Sequence, residues 1–65
     1  MKKETLDKID DLIGLFRLTP ERFDNNVYWC YGLCKKIIYR GEKDGIVKWE
    51  EYNDYIDYIT ERLGI

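Results

Sequence analysis

Apolar side chains recur along this chain with the period of a helix in three segments. In the first, Leu6, Ile9, Ile13 and Phe16 fall at i, i+3, i+7 and i+10, and Leu12 and Leu15 broaden the stripe. That spacing predicts an amphipathic helix over about residues 3–17. Gly14 interrupts it at a cost of about 1 kcal/mol relative to alanine, and a close helix crossing there is the expected reason. The second segment opens at "TPERF", where Thr19 can cap and Pro20 occupies the first turn, the place where its missing N–H and fixed φ do no harm. Phe23, Val27, Cys30 or Tyr31, Cys34 and Ile37 or Ile38 then hold the helical period, which predicts one long helix over about 20–40. The triplet Asp24-Asn25-Asn26 permits another course, a single turn over 20–23 and a new helix from Asn25 capped by Asp24. "RGEKDGIVK" breaks the pattern with Gly41 and Gly45 and suits a reversal of direction. A third helix over about 48–63 follows, with Trp49, Tyr52, Ile56, Ile59 and Leu63 on one inward stripe and Gly64 as its stop. Three amphipathic helices with short connections predict an all-α domain over residues 1–65, a small three-helix bundle.

Length and composition narrow the function. A domain of 65 residues buries only about 60% of the surface that its unfolded chain exposes. Two Trp, two Phe, six Tyr and eight Ile offset this with large buried area per residue, but leave little room for an enclosed pocket. His, Ser, Ala and Gln are absent, which removes the usual general base, the serine nucleophile and any His-based metal site. A non-enzymatic protein without cofactor or metal is therefore expected. The opening "MKKETLDKIDDLIGLF" carries acids at positions 4, 7, 10 and 11 where a signal peptide would be continuously apolar. No apolar run approaches the ~18 residues of a membrane span, so a cytoplasmic protein is expected. Abundant Lys, Ile, Tyr, Asn, Asp and Glu with no Ala is the bias of an AT-rich coding genome, that of a low-GC bacterium or its phage.

Two stretches invite specific chemistry. Cys30 and Cys34 lie four apart within "YWCYGLC". A thioredoxin-like site needs two intervening residues at a helix N-terminus, and a tetrahedral zinc site needs four ligands where a single chain offers two thiols. Packing in the core as free thiols is the expected role, ahead of a dimer-bridged metal or an exposed, reactive pair. "EKDGIVKWEEY" looks like the second half of an EF-hand, with Glu42, Asp44, Gly45, Val47 and Glu51 where that family's loop has positions 3, 5, 6, 8 and 12. It departs at position 1, where Arg40 replaces the leading Asp, and Lys35 and Lys36 stand where the preceding helix should be apolar. A Gly-containing turn, with Ile46 and Val47 briefly extended ahead of the next helix, is expected instead of a calcium site.

Charge is the strongest hint. Residues 1–18 carry four basic and four acidic side chains, 19–40 four and two, and 41–65 three and seven, giving nets of 0, +2 and −4. Glu50, Asp54, Asp57 and Glu61 recur at i, i+4, i+7 and i+11 on the third helix, with Tyr55 and Tyr58 beside them. At about 1.5 Å rise per residue these carboxylates stand about 5–6 Å apart, comparable to phosphates along a strand. The same spacing is that of an ordinary solvated face. As a working surface, Glu50, Asp54, Tyr55, Asp57, Tyr58 and Glu61 would bind a host protein with a basic groove, such as a nucleic-acid enzyme. The alternative is direct nucleic-acid binding through Lys35, Lys36 and Arg40, a weak footprint on a chain of net charge −2. Surplus aromatic surface also permits a homodimer, the third course being a structural homo-oligomer.

With its size, its Lys/Glu/Ile/Tyr bias and the acidic "EEYNDYIDY", the whole chain resembles the small phage-encoded inhibitors of low-GC bacteria, including those of the anti-CRISPR type. The resemblance implies a stoichiometric binder that blocks a basic DNA- or PAM-reading groove of a host defence nuclease without turnover. Such inhibitors share no common motif, so it implies no residue roles.

Overall fold

The computed structural model describes all of residues 1–65. The chain is all-α, without strands: α1 (Lys3–Arg17), α2 (Pro20–Asn25), α3 (Val27–Lys43), a 3-10 turn over Trp49–Glu51 and α4 (Tyr52–Leu63). α3 lies centrally, with α1 and α4 packed against it and α2 bridging the end of α1 to the start of α3. The molecule is elongated, 35 × 18 × 16 Å. The core comprises Ile9, Ile13, Cys30, Cys34, Ile38, Val47, Tyr55, Ile59 and Leu63.

Where one helix over 20–40 was expected there are two. The break falls at Asn26, one residue beyond the start of the alternative second helix at Asn25. Asn26 leaves helical geometry at φ −129°, its Nδ2 donates to the Arg22 carbonyl at 2.8 Å, and its N–H donates to the Phe23 carbonyl at 3.1 Å. A short amide side chain that bonds locally to the backbone competes with continued helix, which is why the chain turns here. Pro20 does occupy the first turn of α2, but Thr19 makes no side-chain capping bond. α3 runs past Arg40 and through Gly41 to Lys43.

The close approach expected at Gly14 is at Gly41. A Cβ on Gly14 would meet nothing within 4 Å, whereas one on Gly41 would stand 2.5 Å from Val47 Cγ2. The loop folds back because the N–H groups of Ile46 and Val47 both donate to the Gly41 carbonyl, at 2.8 and 3.0 Å. That contact delivers Val47 to the core at 4% exposure.

The inward stripe of the last helix is also rotated from expectation. The 3-10 turn precedes α4, Trp49 is 55% exposed, and Tyr52 and Ile56 are only half-buried. Tyr55, Ile59 and Leu63 are the buried residues of α4. Tyr55 tolerates full burial because its hydroxyl accepts the Lys2 N–H at 2.9 Å, satisfying an unpaired donor at the start of α1. Gly64 ends the helix at φ 75°, its N–H donating to the Glu61 and Thr60 carbonyls while Ile65 N–H donates to Thr60. A polar network ties α4 to α1: Tyr58 Oη donates to Asp10, Arg62 Nε stands 3.2 Å from the same carboxylate, and the Arg17 guanidinium donates to the Arg62 carbonyl.

Candidate interaction surfaces

The acidic side chains of α4 do gather. Asp54, Asp57, Tyr58 and Glu61 line one open cleft of about 350 Å³ together with Glu51 and Met1. The Met1 amino group pairs with Glu51 at 2.9 Å, and the only cation of α4, Arg62, is engaged with Asp10 instead. Asp54, Asp57 and Glu61 have no ion-pair partner, so the row projects uncompensated charge. Glu50 stands exposed in the 3-10 turn, outside this cleft.

The two tyrosines assigned to the row behave differently. Tyr55 is fully buried and leaves the contact set, because α4 turns that residue toward α1 and α3. Tyr58 contributes to the cleft wall while its hydroxyl reaches both Asp10 oxygens at 2.7 and 2.8 Å. Donation to that carboxylate, with partial burial, pushes the Tyr58 phenol above its ordinary pKa.

The predicted basic cluster splits. Lys36 and Arg40, one turn apart on α3, join Lys8 of α1 around a cleft of about 250 Å³ bordered by Thr5, Ile37 and Ile46. Asp44 also lines it, 3.9 Å from Arg40. Lys35 sits on another face, with its ammonium 5.4 Å from the centre of the Tyr31 ring.

Two aromatic groupings were not legible as surfaces. Tyr39, Trp49 and Tyr52 form a ladder, with centroid distances of 6.2 Å for Tyr39–Trp49, 5.9 Å for Tyr39–Tyr52 and 4.6 Å for Trp49–Tyr52. The Tyr39 and Tyr52 hydroxyls share a 3.2 Å hydrogen bond, which, with burial second, pushes the Tyr52 phenol up to about 12. The spacing predicts both Trp49 and Tyr52 in the core; Tyr52 does pack against it while half-buried, whereas Trp49 is exposed and stacks on Tyr39 of α3 instead. The second grouping is a cleft of about 220 Å³ lined by Leu12, Leu15, Phe16, Trp29 and Arg22. Phe16 and Trp29 meet edge to face at 5.6 Å, yet Leu15 and Trp29 remain 66% and 60% exposed.

Cys30 and Cys34 are buried free thiols, as expected, which overturns an exposed, reactive pair. Burial pushes both thiols up, Cys34 to about 12, so the thiolate needed for nucleophilic or redox chemistry is suppressed. The EF-hand-like stretch does not form that family's loop, since Arg40 and Glu42 lie within α3 and only residues 44–48 connect it to the 3-10 turn. No three Cys, Asp or Glu side chains converge on one point. No helix is long and apolar enough to cross a membrane. No family model, curated protein or solved structure matches the chain.

Proposed function

We propose that the protein is a non-catalytic cytoplasmic binding module whose acidic α4 row docks onto a basic surface of another protein. One observation carries this reading: Asp54, Asp57 and Glu61 share a cleft with Tyr58 and lack any cationic partner within the chain. Unpaired like charges along a helix cost stability, so a complementary surface gains from them both attraction and relief of that repulsion. Tyr58 adds a rigid aromatic wall, held by Asp10, at low entropy cost. The contact set is Glu50, Asp54, Asp57, Tyr58 and Glu61 with Glu51 added. The partner class that fits best is a nucleic-acid enzyme with a basic groove, and the compositional resemblance extends this to a phage or mobile-element inhibitor of a host defence nuclease. Direct nucleic-acid binding is the weaker reading: Lys35 stands apart, and the cations that do gather, Lys8, Lys36 and Arg40, share their cleft with Asp44 on a chain of net charge −2.

The test is capture from a low-GC bacterial lysate by the wild-type protein and by Asp54→Lys/Asp57→Lys, with excess duplex DNA as competitor. A basic nucleic-acid enzyme retained by the wild type, released by DNA and lost with the variant is the expected result. Equal capture by a variant whose helical circular dichroism is unchanged would sink the proposal.

A further inference from the structure

The flank of α1 and α3 turned away from α4 carries a second surface. On α1, Thr5, Lys8, Leu12 and Leu15 recur at i, i+3, i+7 and i+10, and on α3, Trp29, Leu33, Lys36 and Arg40 recur at i, i+4, i+7 and i+11. Each set is one seam along its helix. The helices run antiparallel, since Lys8 shares a cleft with Lys36 and Arg40, while Leu12 and Phe16 share one with Trp29. The two clefts therefore lie in succession along the α1–α3 junction, cationic at one end and, apart from Arg22 at its edge, apolar at the other. α4 leaves it free, because its bonds to α1 go to Asp10 and Arg17, on the side of α1 opposite Lys8 and Leu15.

Two facing heptad seams with an open groove between them are what an additional amphipathic helix packs against. From Thr5 to Phe16 the groove follows α1 for about 16 Å, the length of about three helical turns. Its charge restricts the occupant: Lys8, Lys36 and Arg40 face one acid, Asp44. A second copy fits poorly. Parallel two-fold pairing sets cations on cations, and antiparallel pairing sets them on Leu15 and Trp29. The α4 of a second copy offers acids, but its apolar side is already committed to its own core.

We propose that this groove binds an amphipathic helix of a partner protein, with acidic residues over Lys8, Lys36 and Arg40 and apolar anchors between Leu15 and Trp29. The surface is independent of the acidic row on α4.

The probe is a capped 16-residue helical peptide with two Glu on one face at one end and Leu, Phe and Leu on that face in the other turns, made in both chain directions. A control peptide carries Lys for Glu. Binding is followed by calorimetry and by amide shifts in NMR spectra. One Glu peptide should bind, shift Lys8–Leu15 and Trp29–Arg40, and bind about tenfold more weakly to Lys8→Glu/Lys36→Glu, a variant that should instead accept the Lys peptide. Asp54→Lys/Asp57→Lys should leave the affinity unchanged, which separates this groove from the α4 row. The proposal is overturned if neither Glu peptide binds at about 1 mM, or if the Lys peptide binds the wild type equally well. It is likewise overturned if a single-stranded oligonucleotide takes the same site more tightly, or if concentration-dependent dimerisation shifts the same residues.

Discussion

Two glycines of this chain carry opposite consequences for the same substitution. At Gly41 a methyl group would collide with Val47, whose β-branched side chain is stiff at χ1 and whose backbone N–H is held by the Gly41 carbonyl. Gly41→Ala should therefore cost about 1–3 kcal/mol despite the gain in helix propensity. Gly14, with open space around it, should respond the other way, Gly14→Ala stabilising by up to about 1 kcal/mol. Urea unfolding of both variants checks the pair, and a loss at Gly14 would mean an unrecognised contact there. The sequence could show that each glycine weakens a helix but not which one has a neighbour, because Val47 reaches Gly41 only through the fold of the loop. Tyr55 was misplaced for a related reason. A tyrosine is apolar enough for a core and polar enough for a surface, and the Lys2 N–H that decides between them is 53 positions away.

At the level of elements, α1 was legible to both ends, although Leu15, counted with the apolar stripe, is exposed and Thr5 is buried. α2 and α3 were legible as helix but not as separate helices, because the local bonds of Asn26 compete with hydrophobic periodicity, which continues unbroken across them. α4 was legible in extent but rotated in phase. Ile59 and Leu63 satisfy either stripe, and the choice between Trp49 and Tyr55 rests on the 3-10 turn, which adds twist ahead of the helix. α4 also shows a tension between folding and binding. Asp57 and Glu61 are like charges one turn apart, and Glu61 lies in the last turn, at the negative end of the helix dipole. Glu61→Lys should raise stability by about 0.5–1 kcal/mol while weakening capture of the α4 partner. Thermal unfolding read beside capture would check this, and a less stable variant would show that Glu61 has a structural role.

Across the whole molecule, the shifted thiols and phenols all move in one direction, and this fixes an alkaline limit. Cys30, Cys34, Tyr52 and Tyr58 have folded pKa values above their ordinary ones, so the folded protein holds protons that the unfolded chain releases first. Stability from these groups is complete below the ordinary thiol value of 9.0 and is lost as pH rises toward about 12 for Cys34. Chemical denaturation midpoints should decline above about pH 9, and iodoacetamide should label the thiols only as fast as the protein opens. The two indoles have a different use. Trp29 stands in the α1–α3 groove and Trp49 on the ladder, and at 60% and 55% exposure neither is deeply enclosed. Their emission is consequently a blunt gauge of unfolding, since the solvent already reaches both rings in the folded state. It is a sharp gauge of occupancy instead: with one indole replaced by phenylalanine, a blue shift in the other reports which of two separate faces a partner has covered.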